Sequence, residues 1–304
     1  MSFIAGLLCA SESQLARDLW PSGLGNPILD TEQKKDLPAW RVVPADYESL
    51  CQWLYVDRDE ASTPPKVLIH PAHHDVENME LILRMQGIVA DVNLNPLGNW
   101  NGEVEHAPKA LQSLTLTGAA CKDAFGAQQR SLANIIELIY KQLCLPPPCG
   151  RDAHADIVLK RRVFTKVRPT TQLSSSLTKQ DDPTGRAAKI AHQWCAEHRV
   201  VVGVQKEDGT IARANPMVIR RGDFVDVAVT LHIVTMRARK VRKTEVFFSP
   251  QEVVRLAPAA NAARLLKAPR VVAKPEEVRK PAVVRSGFKF VGSGEDAMDT
   301  TPAV

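Results

Sequence analysis

The chain has 304 residues, of which 44% are hydrophobic and 24% charged. That balance excludes collagen-like, wholly disordered and membrane-bundle classes, and the length suits one large or two ordinary domains. The formal charge of +5 hides an asymmetry: residues 1–150 carry 11 Lys and Arg against 18 Asp and Glu, whereas residues 151–304 carry 28 against 16.

No run reaches the ~18–20 apolar residues that span a bilayer, so no membrane association is expected. The apolar opening, Phe3 to Ala10, lacks the positive flank of a signal peptide. The six cysteines, at 9, 51, 121, 144, 149 and 195, follow no compact disulfide spacing. Cys144 and Cys149 bracket Leu-Pro-Pro-Pro, either as a loop disulfide or as two ordinary thiols. A reduced, intracellular setting, cytoplasmic or nuclear, is expected.

Trp20, Trp40, Tyr47, Trp53 and Tyr55 crowd the first 60 residues and predict a packed, irregular start. Tyr47, Leu50, Cys51 and Leu54 fall at helical spacing behind Asp46, which predicts an N-capped helix over 46–55. Lys66–His70 reads as a strand, Asp75 as the cap of a helix with Val76, Met79, Ile82 and Leu83 on one face, and Ile88–Val92 as a second strand. The three together predict a parallel β-α-β unit. Leu132, Ile135, Ile136, Ile139 and Leu143 mark a helix over 130–144, which the prolines after Leu145 stop. A domain boundary is placed there.

The second half reads β-α-β-β-β-β over 151–257. One strand is predicted from 156–160 through 164–167, then a helix over 184–198 opened by Asp182-Pro183. Further strands follow at 200–204 and 210–214, joined through Glu207-Asp-Gly209. Val225, Val227, Val229, Leu231 and Ile233 alternate with smaller or polar residues, the pattern of a half-buried strand, and 244–248 returns beside it. From 258 onward, prolines recur among Ala, Lys, Arg and Val, and the composition predicts a disordered basic tail. The expected fold is α+β: an acidic α/β domain over 1–150, a β-rich domain over 151–257 and a flexible tail over 258–304.

Dinucleotide, phosphate-loop, nucleophile-elbow and HExxH patterns are absent, and no cofactor is implied. Ser176-Leu-Thr-Lys179 matches a Ser-x-x-Lys pattern without its partner motifs. The most enzyme-like cluster is His70, His73, His74 and Asp75, whose imidazoles and carboxylate suit a transition metal, provided that they converge. The other reading makes Asp75 a cap and the histidines loop polar groups. His192, Cys195 and His198 fan too widely around a helix for one metal and read as packing and capping.

Arg237, Arg239, Lys240, Arg242 and Lys243 put five cations into seven residues at a predicted hairpin tip. Such a loop suits phosphate contacts and counterion release, and it suits equally a solvated tip that guards a sheet edge. An oligonucleotide-binding barrel adds aromatics for base stacking. Phe224, Phe247 and Phe248 are the candidates, and of the adjacent pair only one can face outward. Between Arg264 and Lys289 lie eight further basic residues against Glu276 and Glu277.

The run Arg220-Arg-Gly-Asp-Phe-Val-Asp-Val-Ala-Val-Thr-Leu-His-Ile-Val234, with Val200–Val204 and Asp208-Gly209 before it, resembles uncharacterised lineage-specific proteins of mushroom-forming fungi over residues 187–256. The resemblance implies a eukaryotic intracellular setting and carries no activity or site residues. The sequence thus leads to a non-enzymatic binding protein whose partner is nucleic acid or an acidic protein surface. A metal-dependent enzyme centred on His70–His74 is the alternative.

Overall fold

The structure, a computed structural model, describes residues 1–6, 14–24, 37–58, 65–146, 155–167, 175–196, 199–238 and 241–267. The fold is α+β, as expected, and its main sheet holds nine strands among the described residues. β1 (Ser2–Ile4) and β2 (Val42–Val43) are parallel partners. Asp46 caps helix α1 (Tyr47–Trp53) by accepting from the Ser49 amide at 2.7 Å. β3 (Leu54–Asp57) and β4 (Lys66–Ile69) form a hairpin apart from the main sheet.

Strand β5 (Ile82–Asn93) organises the sheet. Along one edge, Ile82–Ile88 pairs antiparallel with residues 224–230 of β12 (Phe224–Ala238). Along the other, Leu83 and Arg84 meet β1 in parallel, and residues 88–93 meet β6 (Leu111–Thr117) antiparallel. β7 (Ile157–Arg162) continues antiparallel to β6, and β13 (Val241–Ala257) runs antiparallel to β12. β10 (Val201–Gln205) lies parallel to β13 and carries the short β11 (Ile211–Arg213) at the sheet edge.

The sheet curls until β7 lies against β13. Arg161, on the buried face of β7, donates to the Pro250 carbonyl at 3.0 Å and to Gln251 Oε1 at 2.6 Å. Each antiparallel step reverses direction, so β7 and β13 run the same way. The strands β5, β6, β7, β13 and β12 therefore follow one another around a partly open barrel.

Helix α2 (Lys122–Gln142) supplies Phe125, Leu132, Ile135, Ile136 and Ile139 to the core, which also holds Leu83, Leu114, Leu159, Val227 and Val253. It is locked to β5 by a reciprocal pair: the Gln86 amide donates to Gln128 Oε1 at 2.7 Å and Gln128 Nε2 to the Gln86 carbonyl at 2.8 Å. A smaller core gathers Trp100, Ala107, Val163, Phe164 and Ile190 under the 94–110 connection. There Trp100 meets Phe164 edge-on at 4.9 Å.

Three expectations are corrected. No helix forms over 76–83, because the backbone of 79–81 is already committed to β4. Ile69 N–H donates to the Met79 carbonyl and Leu81 N–H to the Val67 carbonyl, while Asn78 sits at φ 53°, which interrupts helical continuation. The parallel β-α-β unit is therefore absent. Among the described residues of 184–198, only α3 (Arg186–Lys189) is helical. Trp194–Cys195 instead forms β9, paired with β8 (Thr165–Lys166). The N-cap is Gly185 and not Asp182, although the Asp182 carboxylate accepts from the amides of Arg186, Ala187 and Ala188.

Nor is Gly150 a boundary between bodies. Met1–Ala268 make one compact unit, and strands from both sides of Gly150 share its sheet. Helix α4 (Ala259–Lys267) closes the unit, and the rest of the basic tail lies outside the described residues. No helix among the described residues is long and apolar enough to cross a membrane. Among the described residues Cys51 and Cys144 are free and exposed, and Cys121 and Cys195 are buried, while Cys9 and Cys149 lie outside the described residues.

Candidate nucleic-acid interface

β12 is paired with β5 only as far as Thr230, and β13 with β10 only over 252–255. Beyond those points the two strands continue as a ribbon, paired rung by rung from Leu231↔Phe248 to Ala238↔Val241. The basic cluster sits at its end. Arg239 and Lys240, between the paired strands, lie outside the described residues. For the other three, the backbone register is fixed: Arg237 stands opposite Arg242, and Lys243 opposite Met236.

Alternation divides the ribbon into two faces. Leu231, Ile233, Val246 and Phe248 are buried in the main core. The Tyr140 hydroxyl of α2 donates to the Thr244 carbonyl at 3.3 Å beneath them. The other face carries His232 opposite Phe247 and Val234 opposite Glu245. Of the three phenylalanines proposed for stacking, Phe224 is buried against Trp20, ring centroids 4.9 Å apart, and Phe248 is buried in the core. Phe247 alone of the three is partly open to solvent.

A second basic stretch, which sequence reasoning did not single out, lies on the outer face of β6 and β7. Val158, Lys160 and Arg162 are exposed, while Ile157, Leu159 and Arg161 between them are buried. Register places Val158 beside Thr115, Lys160 beside Ser113 and Arg162 beside Leu111, with Asp91 and Asn93 of β5 completing the rows. Asp91 is already paired with Arg221. The signal was present as strict alternation in Ile157–Arg162. A chain of hydrogen bonds joins this strand to the ribbon: Arg161 to Gln251, Gln251 to Thr230, and Thr230 Oγ1 to His232 Nε2 at 3.4 Å.

The histidine cluster does not converge on a metal. His74 uses both ring nitrogens locally: Nε2 donates to the Ile69 carbonyl at 2.9 Å and Nδ1 accepts from the Val76 amide at 3.3 Å. His70 Nδ1 accepts from the Ala72 amide, so His70 caps a 3-10 turn over Pro71–His73. The His70 and His73 rings stand 6.4 Å apart, and Asp75 is exposed beyond them. Among the described residues no three His, Cys, Asp or Glu side chains form a metal-binding group. Ser176 Oγ and the Ser176 amide both donate to the Ala196 carbonyl, a contact that ties 176 to the end of β9. The pocket beside Asp226, lined by Phe3, Arg17, Arg84 and Gln86, has a volume of about 10 Å³, the room of one water.

Neither the protein-family models nor the curated proteins include a match to the chain. Among solved structures, it is similar to the single-stranded DNA-binding protein of bacteriophage Enc34. A C-terminally truncated form aligns at 15% identity and a TM-score of 0.31, over 65% of this chain and 92% of that one. The same phage protein in complex with single-stranded DNA aligns at 11% identity and a TM-score of 0.29, over 66% and 97%.

Proposed function

We propose that this is a non-enzymatic protein that binds single-stranded nucleic acid, its phosphates held by the basic ribbon tip and by Lys160 and Arg162. The order of strands around the barrel carries the reading. Three antiparallel strands, β5, β6 and β7, are followed around the ring by the fifth and then the fourth, β13 and β12. Five-stranded, partly open barrels of oligonucleotide-binding type present their second and third strands, with the loops joining strands one to two and four to five, to the ligand. Here those parts are the outer face of β6–β7, the 94–110 connection and the end of the β12–β13 ribbon. The two basic stretches therefore fall on parts that such barrels use.

The test is a salt series with a fluorescent 20-mer of thymidylate, comparing wild type with a variant carrying Ala at 237, 239, 240, 242 and 243. Wild-type affinity should fall steeply with salt. The variant's log–log slope should be shallower by up to ~3.5, about 0.7 for each phosphate that its missing cations no longer neutralise. Undetectable binding at low salt, or equal slopes, overturns the proposal. Capture of an acidic polypeptide with no affinity for the oligonucleotide would assign the cations to a protein partner instead.

A further inference from the structure

We infer that the outer face of the ribbon stacks unpaired nucleobases, with Phe247 as the platform and His232 beside it. The inference rests on the proposed nucleic-acid reading and adds where the bases go. Phe248 and Phe247 are adjacent, yet only Phe248 enters the core; among the described residues, Phe247 belongs to neither apolar core. Its register partner is exposed His232, and the next rung toward the tip holds Val234, which also lies outside both cores. A partly open phenyl ring and an imidazole thus share one face of a two-stranded arm whose other face is fastened to the core and to α2.

Position completes the case. The backbone rung Met236↔Lys243 lies four residues along the ribbon from His232↔Phe247, a separation of about 13 Å at ~3.3 Å per residue. A strand whose phosphates are held at the tip brings its next bases over Phe247. Base–aromatic stacking tolerates any base, because every base has a π-face, and a duplex hides those faces. The ligand class is therefore unpaired DNA or RNA. The bonds from His232 through Thr230 and Gln251 to Arg161 hold this face in fixed relation to β7.

The experiment uses the full chain with three probes: the thymidylate 20-mer, an abasic sugar–phosphate oligomer of equal length, and a 20-base-pair duplex. Phe247→Ala should weaken thymidylate binding about tenfold, with the abasic affinity and the salt slope unchanged. Phe247→Leu, which keeps apolar volume without a ring, should fall likewise, whereas Phe247→Trp should bind and show fluorescence quenched by the thymidylate probe. Wild type should bind the duplex less well than the single strand. The inference is overturned if Phe247→Ala binds thymidylate as wild type does while the five-Ala variant does not, and in that case the broader reading survives. It is overturned too if Phe247→Ala loses both single-stranded probes equally. Absence of thymidylate binding by wild type overturns both.

Discussion

Arg84 donates to a single oxygen of Asp226 from both Nε and Nη2, each at 2.7 Å. The second oxygen accepts from Gln86 Nε2 at 2.9 Å and faces Arg17 at 3.7 Å. The carboxylate is buried, and the pair links the neighbouring strands β5 and β12. Burial leaves Arg17 easier to deprotonate than a free guanidinium, an effect that Arg84 adds to and Asp226 opposes. Asp226→Asn should destabilise the protein by about 3–5 kcal/mol, because it leaves two guanidinium groups without their counter-charge. Urea unfolding checks this; a loss below ~1 kcal/mol would mean the cluster is wetter than its burial implies.

The cap on α1 is pH-dependent in a defined sense. The Ser49 amide holds the Asp46 carboxyl below its ordinary value of 3.8. The folded value is the lower one, so the cap's contribution is whole above 3.8 and fades as pH falls through the folded value. Asp46→Ala should cost about 1 kcal/mol at neutral pH. In thermal melts, the gap to wild type should narrow below pH 3.8 and close in stronger acid. A gap constant with pH would show that the charged form is not what caps.

Two glycines should respond in opposite directions. Gly126 lies inside α2 with open space around it, the nearest atom to an added Cβ being Arg130 Nη1 at 4.0 Å. Gly126→Ala should stabilise by about 0.5–1 kcal/mol through helix propensity. Gly98 sits at φ 57°, and a Cβ there would overlap the Leu111 carbonyl. Gly98→Ala should therefore destabilise by more than the ordinary left-handed penalty of about 1–2 kcal/mol, as differential scanning calorimetry would show.

Arg161→Met tests the closure of the barrel. It keeps the apolar stem and removes the bonds to Pro250 and Gln251. Stability should fall by about 2 kcal/mol, with amide exchange in β7 accelerated more than in β12. Equal acceleration throughout would mean the barrel opens only by global unfolding.

The long β12 was legible because Val225 to Ile233 alternates cleanly. The two register shifts in its pairing with β13, which skip Leu256 and Gln251, were not, since they depend on a partner strand. The helix misread at 76–83 has the same origin: a short apolar stretch fits either period, and the bonds to Val67 and Ile69 decide. β6 went unassigned, although Gln112, Leu114 and Leu116 are buried alternately, because its first two leucines fall three apart. The basic hairpin was readable from residue types alone. That Phe247 and not Phe248 faces out depends on the rung Leu231↔Phe248, which no local pattern supplies. The histidines clustered in sequence, but their nitrogens serve the turn.

Because β5 takes partners from both ends of the chain, its assembly is ordered in time. Ile88 pairs with Phe224, which leaves the ribosome about 7–27 s later at ~5–20 residues per second. Throughout that interval the nascent chain holds a strand edge, Ile82–Ile88, with its hydrogen-bonding groups uncommitted. Gln128 of α2 takes the Gln86 amide and carbonyl, so α2 can dock on β5 before β12 arrives while the edge that β12 covers stays open to a neighbour's strand.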